Sequence, residues 1–336
     1  MIVASIGSST SDEDRDGTLV LVHPNRTSLA VLPRAQFSSL RAALDTWDIS
    51  EPRLRVIDAE LRSGKWSDTR PTTDVKFLAP LPRTWALLDG SAFVQHVLLV
   101  RKARGAEPPG DLYTVPLMYQ GASDNLLSPT DDIPLIDPAF GMDFESEVAV
   151  ITDYVPMGTV ASEASKHVKL LLLMNDISLR ELIPRELATG FGFFQSKPPS
   201  SFSPFAVTPD DLDDDWREGR LHLPLQTVLN GTVFGQPNAG EMHFSFFDLI
   251  AHAAKTRPLS AGTIIGSGTV SNSDDSVGSS CLVEQRMLEK IRSGSISTPY
   301  LVDGDSVQIS IFKEGRNIFG SIDQKVRRRT TPEETQ

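Results

Sequence analysis

Apolar residues in the N-terminal part of the chain follow first a strand pattern and then a helical one. Residues 18–23 (TLVLVH) and 28–32 are apolar runs on either side of a His-Pro-Asn turn, which predicts a β-hairpin. Leucine, alanine and tryptophan then recur at helical spacing within residues 37–47. A second helix is predicted over residues 51–62. This part is expected to be a small α+β unit.

Beyond Lys76 the pattern changes to short strands separated by proline and glycine. The Asn230-Gly231 pair lies between two β-rich runs, which is the strongest short-range signal of a hairpin. Further strands are predicted at residues 144–152, 169–174, 263–271, 307–312 and 317–322. Helices are predicted at residues 92–104 and 245–254, with a further helical stretch at 177–187. The pattern therefore predicts a β-rich α+β fold.

The change of pattern divides the chain into three segments. The small N-terminal α+β domain is placed at residues 1–78, and the Arg-Pro-Thr-Thr segment at 70–73 is expected to be a linker. The catalytic domain is placed at residues 79–326. The basic run at 325–329 and the polar residues after it are expected to fray, so a flexible C-terminal tail is placed at 327–336.

Composition limits the partners and the location. The 336 residues carry 44 acidic and 32 basic side chains, a formal net charge of −12. Nucleic-acid binders concentrate lysine and arginine on one face, so no nucleic-acid partner is expected. The single cysteine, Cys281, excludes an intrachain disulfide and is expected to be a buried small residue. No signal peptide is recognised, and the longest apolar run, at 168–174, is too short to span a bilayer. We expect a soluble cytoplasmic protein with no membrane partner.

Glu145 and Glu147 are the most informative pair of acidic residues. Side chains two positions apart share one face of a strand, so the two carboxylates are expected to lie side by side. Burying both without a partner would be unfavourable, and a bound divalent cation would resolve this. The alternative is an edge strand with a solvated acidic face.

Asp176 and Asp89 extend this acidic set. Asp176 follows a buried strand, and Asp89 precedes the helix predicted from residue 92, so each could equally be a helix N-cap. His96 follows Asp89 by seven residues, two helical turns, which would place both on one helix face. A carboxylate set without cysteine or paired histidines favours a hard cation, Mg²⁺ or Ca²⁺ with Mn²⁺ also possible, over zinc.

Three stretches carry a resemblance to a known family. MDFESEVAVITDYVPMG, LLMNDISLRELIPRELATGFGFFQSKPPSSFSPFAVTPDDL and GTIIGSGTVSN resemble the core of the fumarylacetoacetate hydrolase family, in the same order and at the same spacing. The match runs from Ala79 to Gln324, and the N-terminal unit resembles the small leading domain of some bacterial-type members. The resemblance implies a mixed β-roll catalytic fold, a homodimer, and no organic cofactor.

The resemblance also assigns roles to individual residues. It implies that Asp89, Glu145, Glu147 and Asp176 bind a divalent metal. The implied catalytic residues are His96 as general base, Glu284 as the group that orients it, and Lys197. Tyr119, Thr269 and Arg104 are expected to bind substrate. Two positions depart from the family pattern, where Ser91 replaces a tyrosine and Ile183 replaces a glutamine. Without the resemblance, His96 could be a structural histidine on a helix face and Lys197 a solvated loop lysine.

The expected function is metal-dependent hydrolysis of a carbon–carbon bond in a small anionic β-diketo acid of the fumarylacetoacetate or acylpyruvate type. One alternative keeps the metal site and changes the reaction to decarboxylation of an oxaloacetate-type acid, or to hydration or isomerisation of a 2-hydroxydienoate. A second alternative is a non-catalytic small-molecule binder that has retained the fold. Residues 120–131 and 190–203 are the candidate covers of the site.

Overall fold

The computed structural model describes residues 1–7, 15–104, 107–108 and 110–329. Its α-helices are α1 (Leu40–Asp45), α2 (Trp47–Arg62), α3 (Val94–Arg104), α4 (Ala161–Ala164), α5 (Ile183–Thr189), α6 (Phe246–Ala253) and α7 (Leu282–Ser293). The first strands are β1 (Ile2–Ile6), β2 (Thr18–Val22), β3 (Ser28–Val31), β4 (Thr69–Pro71), β5 (Leu87–Gly90), β6 (Met118–Gly121), β7 (Ile133–Leu135), β8 (Met142–Asp143), β9 (Ser146–Thr152) and β10 (Val168–Asn175). They are followed by β11 (Ser178–Leu179), β12 (Ser201–Phe202), β13 (Ala206–Val207), β14 (Trp216–Arg217), β15 (Arg220–Leu221), β16 (Leu225–Leu229), β17 (Thr232–Gly235), β18 (Ile264–Gly266), β19 (Ser306–Lys313), β20 (Arg316–Asn317) and β21 (Ile322–Arg328).

The largest sheet of the described residues has eleven strands. Its order is β4-β3-β2-β1-β13-β10-β9-β18-β5-β6, and β12 pairs with β10 beside this path. β18 and β5 are parallel, whereas β9 and β10 form a long antiparallel pair. The predicted N-terminal hairpin is confirmed, because β2 and β3 pair antiparallel. The β-rich α+β fold class is confirmed as well.

Both faces of the large sheet are buried. Along β9, Val148 and Val150 point into one hydrophobic cluster while Ala149 and Ile151 point into another. Helices α1 and α2 cover the face of Ala149. A second sheet, of order β17-β16-β19-β21-β7 with β20 beside β19, covers the opposite face. A strand buried on both faces reads as a continuous apolar run, which explains the sequence of β10.

The Asn230-Gly231 hairpin is also confirmed, since β16 and β17 pair antiparallel around it. Asn230 and Gly231 have φ of 51° and 78°. A two-residue hairpin loop with both central residues at positive φ suits asparagine and glycine because these residues adopt the left-handed region at low energy.

The N-terminal residues are hydrogen-bonded into the same sheet as the later strands. β1 pairs with β13 through Ile2 and Val207, so the large sheet continues from the first segment into the second. The linker expected at 70–73 is wrong in part, because residues 69–71 form β4, the edge strand beside β3. The domain limits at 78 and 326 stay predictions.

Several other expectations need correction. The frayed end expected from residue 325 is wrong, because β21 extends to Arg328 and pairs with both β19 and β7. Residues 330–336 lie outside the described part. The strand expected at 317–322 is interrupted, because residues 318–321 connect β20 to β21, and the helix expected at 177–187 begins only at Ile183. No helix among the described residues is long and apolar enough to cross a bilayer.

Candidate active site

Four carboxylates meet where adjacent strands of the large sheet end. Glu147 lies on β9, Glu145 just before it, Asp176 directly after β10, and Asp89 on β5. Because β10, β9, β18 and β5 are neighbours in the sheet, these ends converge. One oxygen from each carboxylate lies within 4.8 Å of the others, and all four side chains are buried. The sequence-predicted metal ligands are therefore brought together.

Asp89 reaches this cluster in a way that the sequence did not predict. It lies in β5 and not at the N-cap of a helix, since α3 begins at Val94. Asp89 and His96 are therefore not two turns apart on one helix. The strand carries Asp89 and the helix carries His96, and both face one cavity.

Glycines allow the backbone to approach the carboxylates. The Gly268 N–H donates to Asp89 Oδ1 over 3.2 Å and to Glu147 Oε2 over 3.0 Å, and Gly268 has φ of +78°. A Cβ at Gly266 would meet Asp89 Oδ1 at 2.4 Å. These contacts explain the glycines of the GTIIGSGTVSN stretch, because a side chain at residue 266 would displace the carboxylate.

Burial and mutual repulsion make this cluster unfavourable for negative charge. Burial raises the pKa of Asp89 well above its ordinary value, and Asp176 raises it further. Burial likewise raises the pKa of Glu147, with Asp89 adding to the effect. The pKa of Asp176 is raised by burial, although Lys197 opposes the shift. A nearby positive charge would stabilise the ionised form of these carboxylates.

The residues present fit a hard divalent cation. Glu147 Oε1 is buried and has no hydrogen-bond partner among the described residues. An orphaned carboxylate oxygen inside a cluster of four acidic groups is the expected donor for a cation. The donor set consists of oxygen atoms alone, which suits Mg²⁺, Mn²⁺ or Ca²⁺ better than a thiophilic ion.

Lys197 lies inside the carboxylate cluster. Its Nζ donates to Glu145 Oε2 over 2.9 Å and to Ser178 Oγ over 2.7 Å, and it also bonds to Asp176 Oδ2. Burial alone would lower the pKa of Lys197, but Asp176 and Glu145 outweigh it and raise the pKa. The side chain is buried, so a solvated loop lysine is excluded. The ammonium group is held at the centre of the site.

Tyr119 and Ser200 complete the environment of Asp176. The Tyr119 hydroxyl donates to Asp176 Oδ2 over 2.7 Å, and Ser200 Oγ donates to Oδ1 over 2.9 Å. Phe193 packs edge-on against the Tyr119 ring, with centroids 5.2 Å apart. Asp176 is thus oriented by hydrogen bonds at both oxygens, which restricts its rotamer.

His96 and Glu284 form a dyad beside the cluster. His96 Nδ1 lies 3.0 Å from Glu284 Oε2, and Ser271 Oγ donates to the other Glu284 oxygen over 3.0 Å. Glu284 belongs to the first turn of α7 and is buried. With Nδ1 engaged by Glu284, the Nε2 position of the same ring is left for proton transfer. The sequence-predicted partner of His96 is therefore placed beside it.

Two charged residues of the site, the buried Asp143 and the partly buried Arg180, were missed by the sequence analysis. Arg180 donates through Nε to Asp143 Oδ2 over 2.8 Å and through an Nη atom to Glu145 Oε1 over 2.5 Å. Asp143 also accepts from the backbone N–H groups of Leu282 and Val283, over 2.7 and 2.9 Å, at the start of α7. Arg180 and Asp143 thus connect Glu145 to the helix that carries Glu284.

Burial raises the pKa of Glu145, but Arg180 and Lys197 outweigh it and hold that pKa below its ordinary value. A sequence signal for Asp143 existed, because it is two positions before Glu145 in an acidic, strand-like stretch. Arg180 lies in the stretch 177–187 that was predicted to be helical, and that prediction does not indicate that its side chain points towards Asp143 and Glu145.

A cavity of about 550 Å³ opens onto these groups. Its lining includes Asp89, Glu145, Lys197, Tyr119, His96, Thr269 and Arg180, together with Ser91 and Ile183, the two positions that depart from the family pattern. Phe193 and Leu187 also line the cavity. The side chain of Arg104 lies outside the described part of the chain, so its assignment to substrate stays a prediction.

Fold and site together define a protein with a candidate acidic metal site and a histidine–carboxylate dyad beside one cavity. Residues 86–327 match the family described as Fumarylacetoacetate (FAA) hydrolase C-terminal, and residues 6–83 match Fumarylacetoacetase N-terminal domain 2. The chain therefore belongs to the fumarylacetoacetate hydrolase family, as its motifs predict.

Individual relatives differ in their reactions. Human mitochondrial oxaloacetate tautomerase FAHD2B is 26% identical over 205 residues, which is 59% of this chain and 60% of that protein. The structure of maleylpyruvate hydrolase from Sphingobium sp. SYK-6 aligns with a TM-score of 0.67 at 17% identity, covering 98% of this chain and 100% of the other. That of 5-carboxymethyl-2-hydroxymuconate delta-isomerase from Mycobacterium smegmatis aligns with a TM-score of 0.61 at 18% identity and the same coverages. The structural likeness shows the fold.

Proposed function

We propose that this protein hydrolyses a carbon–carbon bond in a small β-diketo acid of the acylpyruvate or fumarylacetoacetate type, with Mg²⁺, Mn²⁺ or Ca²⁺ as cofactor. The observation that carries the proposal is the His96–Glu284 dyad beside the four-carboxylate cluster, in one cavity that also contains Lys197. Hydrolysis needs a base that activates water, and a tightly held histidine–glutamate pair supplies one.

The cation would be held by Asp89, Glu145, Glu147 and Asp176, and when bound it would act as a Lewis acid that polarises the carbonyl oxygens of the substrate. His96 removes a proton from water through its free ring nitrogen. Glu284 holds the ring in orientation and stabilises the imidazolium that forms. The hydroxide equivalent adds to one carbonyl carbon.

Cleavage then leaves its electron pair on the carbon that lay between the two carbonyls, where the remaining ketone stabilises it as an enolate, and that carbon must be protonated. Lys197 is the buried ammonium closest to the carboxylate cluster, and we assign it to stabilising and protonating this group. Thr269, which lines the cavity, is assigned to the carbonyl that water attacks. The products are a carboxylate and a 2-keto acid from an acylpyruvate, or fumarate and a 3-keto acid from fumarylacetoacetate, and one water is consumed for each substrate.

A tautomerase reaction is the second candidate, because the curated human relative carries that activity. It would use the same His96 and Lys197 to move a proton between the carbon and the oxygen of a keto–enol pair, with no water consumed. Ser91 and Ile183 favour a distinct substrate in either case, since both line the cavity and depart from the family pattern.

The test is a spectrophotometric assay of metal-stripped protein on acylpyruvates, fumarylacetoacetate and enol-oxaloacetate, with Mg²⁺, Mn²⁺ or Ca²⁺ added back. Metal-dependent loss of diketone absorbance with two acid products supports hydrolysis. Faster ketonisation of oxaloacetate without fragmentation would contradict hydrolysis and indicate tautomerase activity instead. Release of CO₂ identifies a decarboxylase. We also propose a homodimer, which light scattering after size exclusion tests.

A further inference from the structure

A second group of potential metal ligands lies beside the carboxylate cluster. One donor atom from each of His96, Cys281 and Glu284 lies within 4.8 Å of the other two. Cys281 is buried, and its side chain does not cap α7 although it occupies the N-cap position. The proposed reaction uses the histidine and the glutamate but not the thiol.

The donor types differ between the two groups. The carboxylate cluster offers oxygen atoms alone, whereas this second group offers imidazole nitrogen, thiol sulfur and one carboxylate oxygen. Nitrogen and thiolate ligands select Zn²⁺ and similar ions over Mg²⁺ or Ca²⁺. We propose that His96, Cys281 and Glu284 form a Zn²⁺ site that is separate from the carboxylate cluster and whose occupation inhibits the enzyme.

The three donor atoms lie close to the spacing that a zinc ion requires, each within 4.8 Å of the other two. A tetrahedral zinc ion with Zn–N and Zn–O bonds of about 2.0 Å and a Zn–S bond of about 2.3 Å holds its donors roughly 3.3–3.6 Å apart. His96 Nδ1 and Glu284 Oε2 are already 3.0 Å apart. His96 lines the cavity, so an ion that enters there meets the imidazole first. Three protein ligands leave the fourth position for water.

Zinc binding has a defined proton balance. Zinc binds a carboxylate, a neutral imidazole and a thiolate, so the Cys281 thiol must lose its proton on binding. One Zn²⁺ bound through sulfur therefore releases one proton from the thiol. The ion also replaces the direct contact between His96 and Glu284, which removes the oriented base. The inhibition rests on the proposed function, whereas binding does not.

The decisive experiment uses the full-length, tag-free, Mg²⁺-loaded protein titrated with Cd²⁺ or Co²⁺ as spectroscopic substitutes for zinc. Cys281 is the single cysteine of the chain, so a thiolate-to-metal charge-transfer band can come from no other side chain. The band is expected to saturate at one ion per chain and to disappear in Cys281→Ser. Metal uptake measured by calorimetry without this band in the wild type would overturn the site.

Glu147→Gln separates the two groups of ligands. This variant removes a carboxylate of the oxygen cluster that is not part of the second group. The charge-transfer band is expected to persist in Glu147→Gln with unchanged stoichiometry. If the band disappears together with the carboxylate, the thiol does not define an independent site, and the proposal is wrong.

Inhibition is measured on whichever substrate the assay identifies, with Mg²⁺ saturating. Each variant is compared with itself, with and without Zn²⁺. The zinc concentration for half-inhibition is expected to rise about 10–100-fold in Cys281→Ser, the range found when a metal site loses supporting contacts. Equal inhibition of wild type and variant would assign the effect to the carboxylate cluster. Absence of every tested activity with an intact band would count against the proposed function alone.

Discussion

His96 Nδ1 and Glu284 Oε2 lie 3.0 Å apart, although 188 positions separate the two residues along the chain. His96 comes from α3 and Glu284 from the first turn of α7, and these two helices pack against each other. The packing of two helices therefore sets the contact that orients the imidazole. Loss of this contact should therefore reduce catalytic activity strongly and metal affinity only slightly.

His96→Gln should abolish most of the activity and leave metal binding near normal. Loss of a positioned general base reduces kcat by about 10²–10⁴-fold. The four carboxylates that would hold the cation do not include His96. Steady-state kinetics and calorimetric titration with Mg²⁺ measure the two effects separately.

His252→Gln is the matched control for that variant, because His252 lies on α6 and is not part of the cavity lining. It should retain wild-type kinetics. A His96→Gln enzyme with wild-type kcat would remove the histidine from the mechanism, and a parallel loss of Mg²⁺ affinity would indicate a structural role.

Glu147→Gln should stabilise the metal-free protein while removing its response to metal. Burial and Asp89 raise the pKa of Glu147, so its ionised form destabilises the folded state without a cation. In the wild type, Mg²⁺ at 100 times its Kd should add about 2.7 kcal/mol to the free energy of unfolding. Thermal unfolding with EDTA or with Mg²⁺ measures both effects.

Glu163→Gln is the control here, since Glu163 is an exposed carboxylate on α4 with a side chain 57% accessible. Its response to Mg²⁺ should equal that of the wild type. If Glu147→Gln keeps the full Mg²⁺-dependent shift, Glu147 is not a ligand.

The strand pattern predicted part of this site and failed at the rest for physical reasons. The alternation around Glu145 and Glu147 predicts a shared face, a local property that two-residue spacing determines. Asp89 fitted a helix N-cap equally well, because only its pairing with Tyr119 on β6 and with Gly266 on β18 shows that it belongs to a strand. The contact between His96 and Glu284 depends on the packing of distant helices, so the family resemblance alone indicated it.

Arg180 and the C-terminal strand illustrate the same limit. Arg180 follows β11, whose two residues pair with β8 and bring the guanidinium to Asp143. A strand that short carries no periodic signal. β21 alternates buried and exposed residues, but its basic end resembles a solvated tail until its partners β19 and β7 are known.

Asp143→Asn should destabilise the protein and lower its activity. Asp143 accepts from Arg180 and from two N–H groups of α7, and an asparagine can satisfy only part of this set. Arg180 keeps its contact with Glu145, so the variant loses one charge-assisted hydrogen bond, which costs about 1.5–3 kcal/mol. Urea unfolding measures the loss, and the altered start of α7 should reduce kcat through Glu284.

Asp274→Asn is the matched control, because Asp274 also accepts a backbone N–H but is exposed to solvent. It should change the free energy of unfolding by less than about 1 kcal/mol. A loss of the same size in both variants would mean that the contact with Arg180 adds nothing to stability.

The contact of Asp16 with Arg41 and Arg83 should make stability sensitive to acid. Burial would raise the pKa of Asp16, but hydrogen bonds from Arg83 and Arg41 outweigh it and lower the pKa to about 2. A carboxyl whose folded pKa is depressed stabilises the fold above its unfolded pKa of about 3.9, and this contribution disappears as the pH falls towards the folded value. Asp16→Asn should therefore be less stable than the wild type at neutral pH, and the difference should shrink as the pH falls from about 4 to about 2.

Urea unfolding across this pH range measures the difference in the free energy of unfolding. Asp45→Asn is the control, because Asp45 is an exposed carboxylate at the end of α1. A difference between wild type and Asp16→Asn that is independent of pH would show that the ion pair does not contribute through its charge.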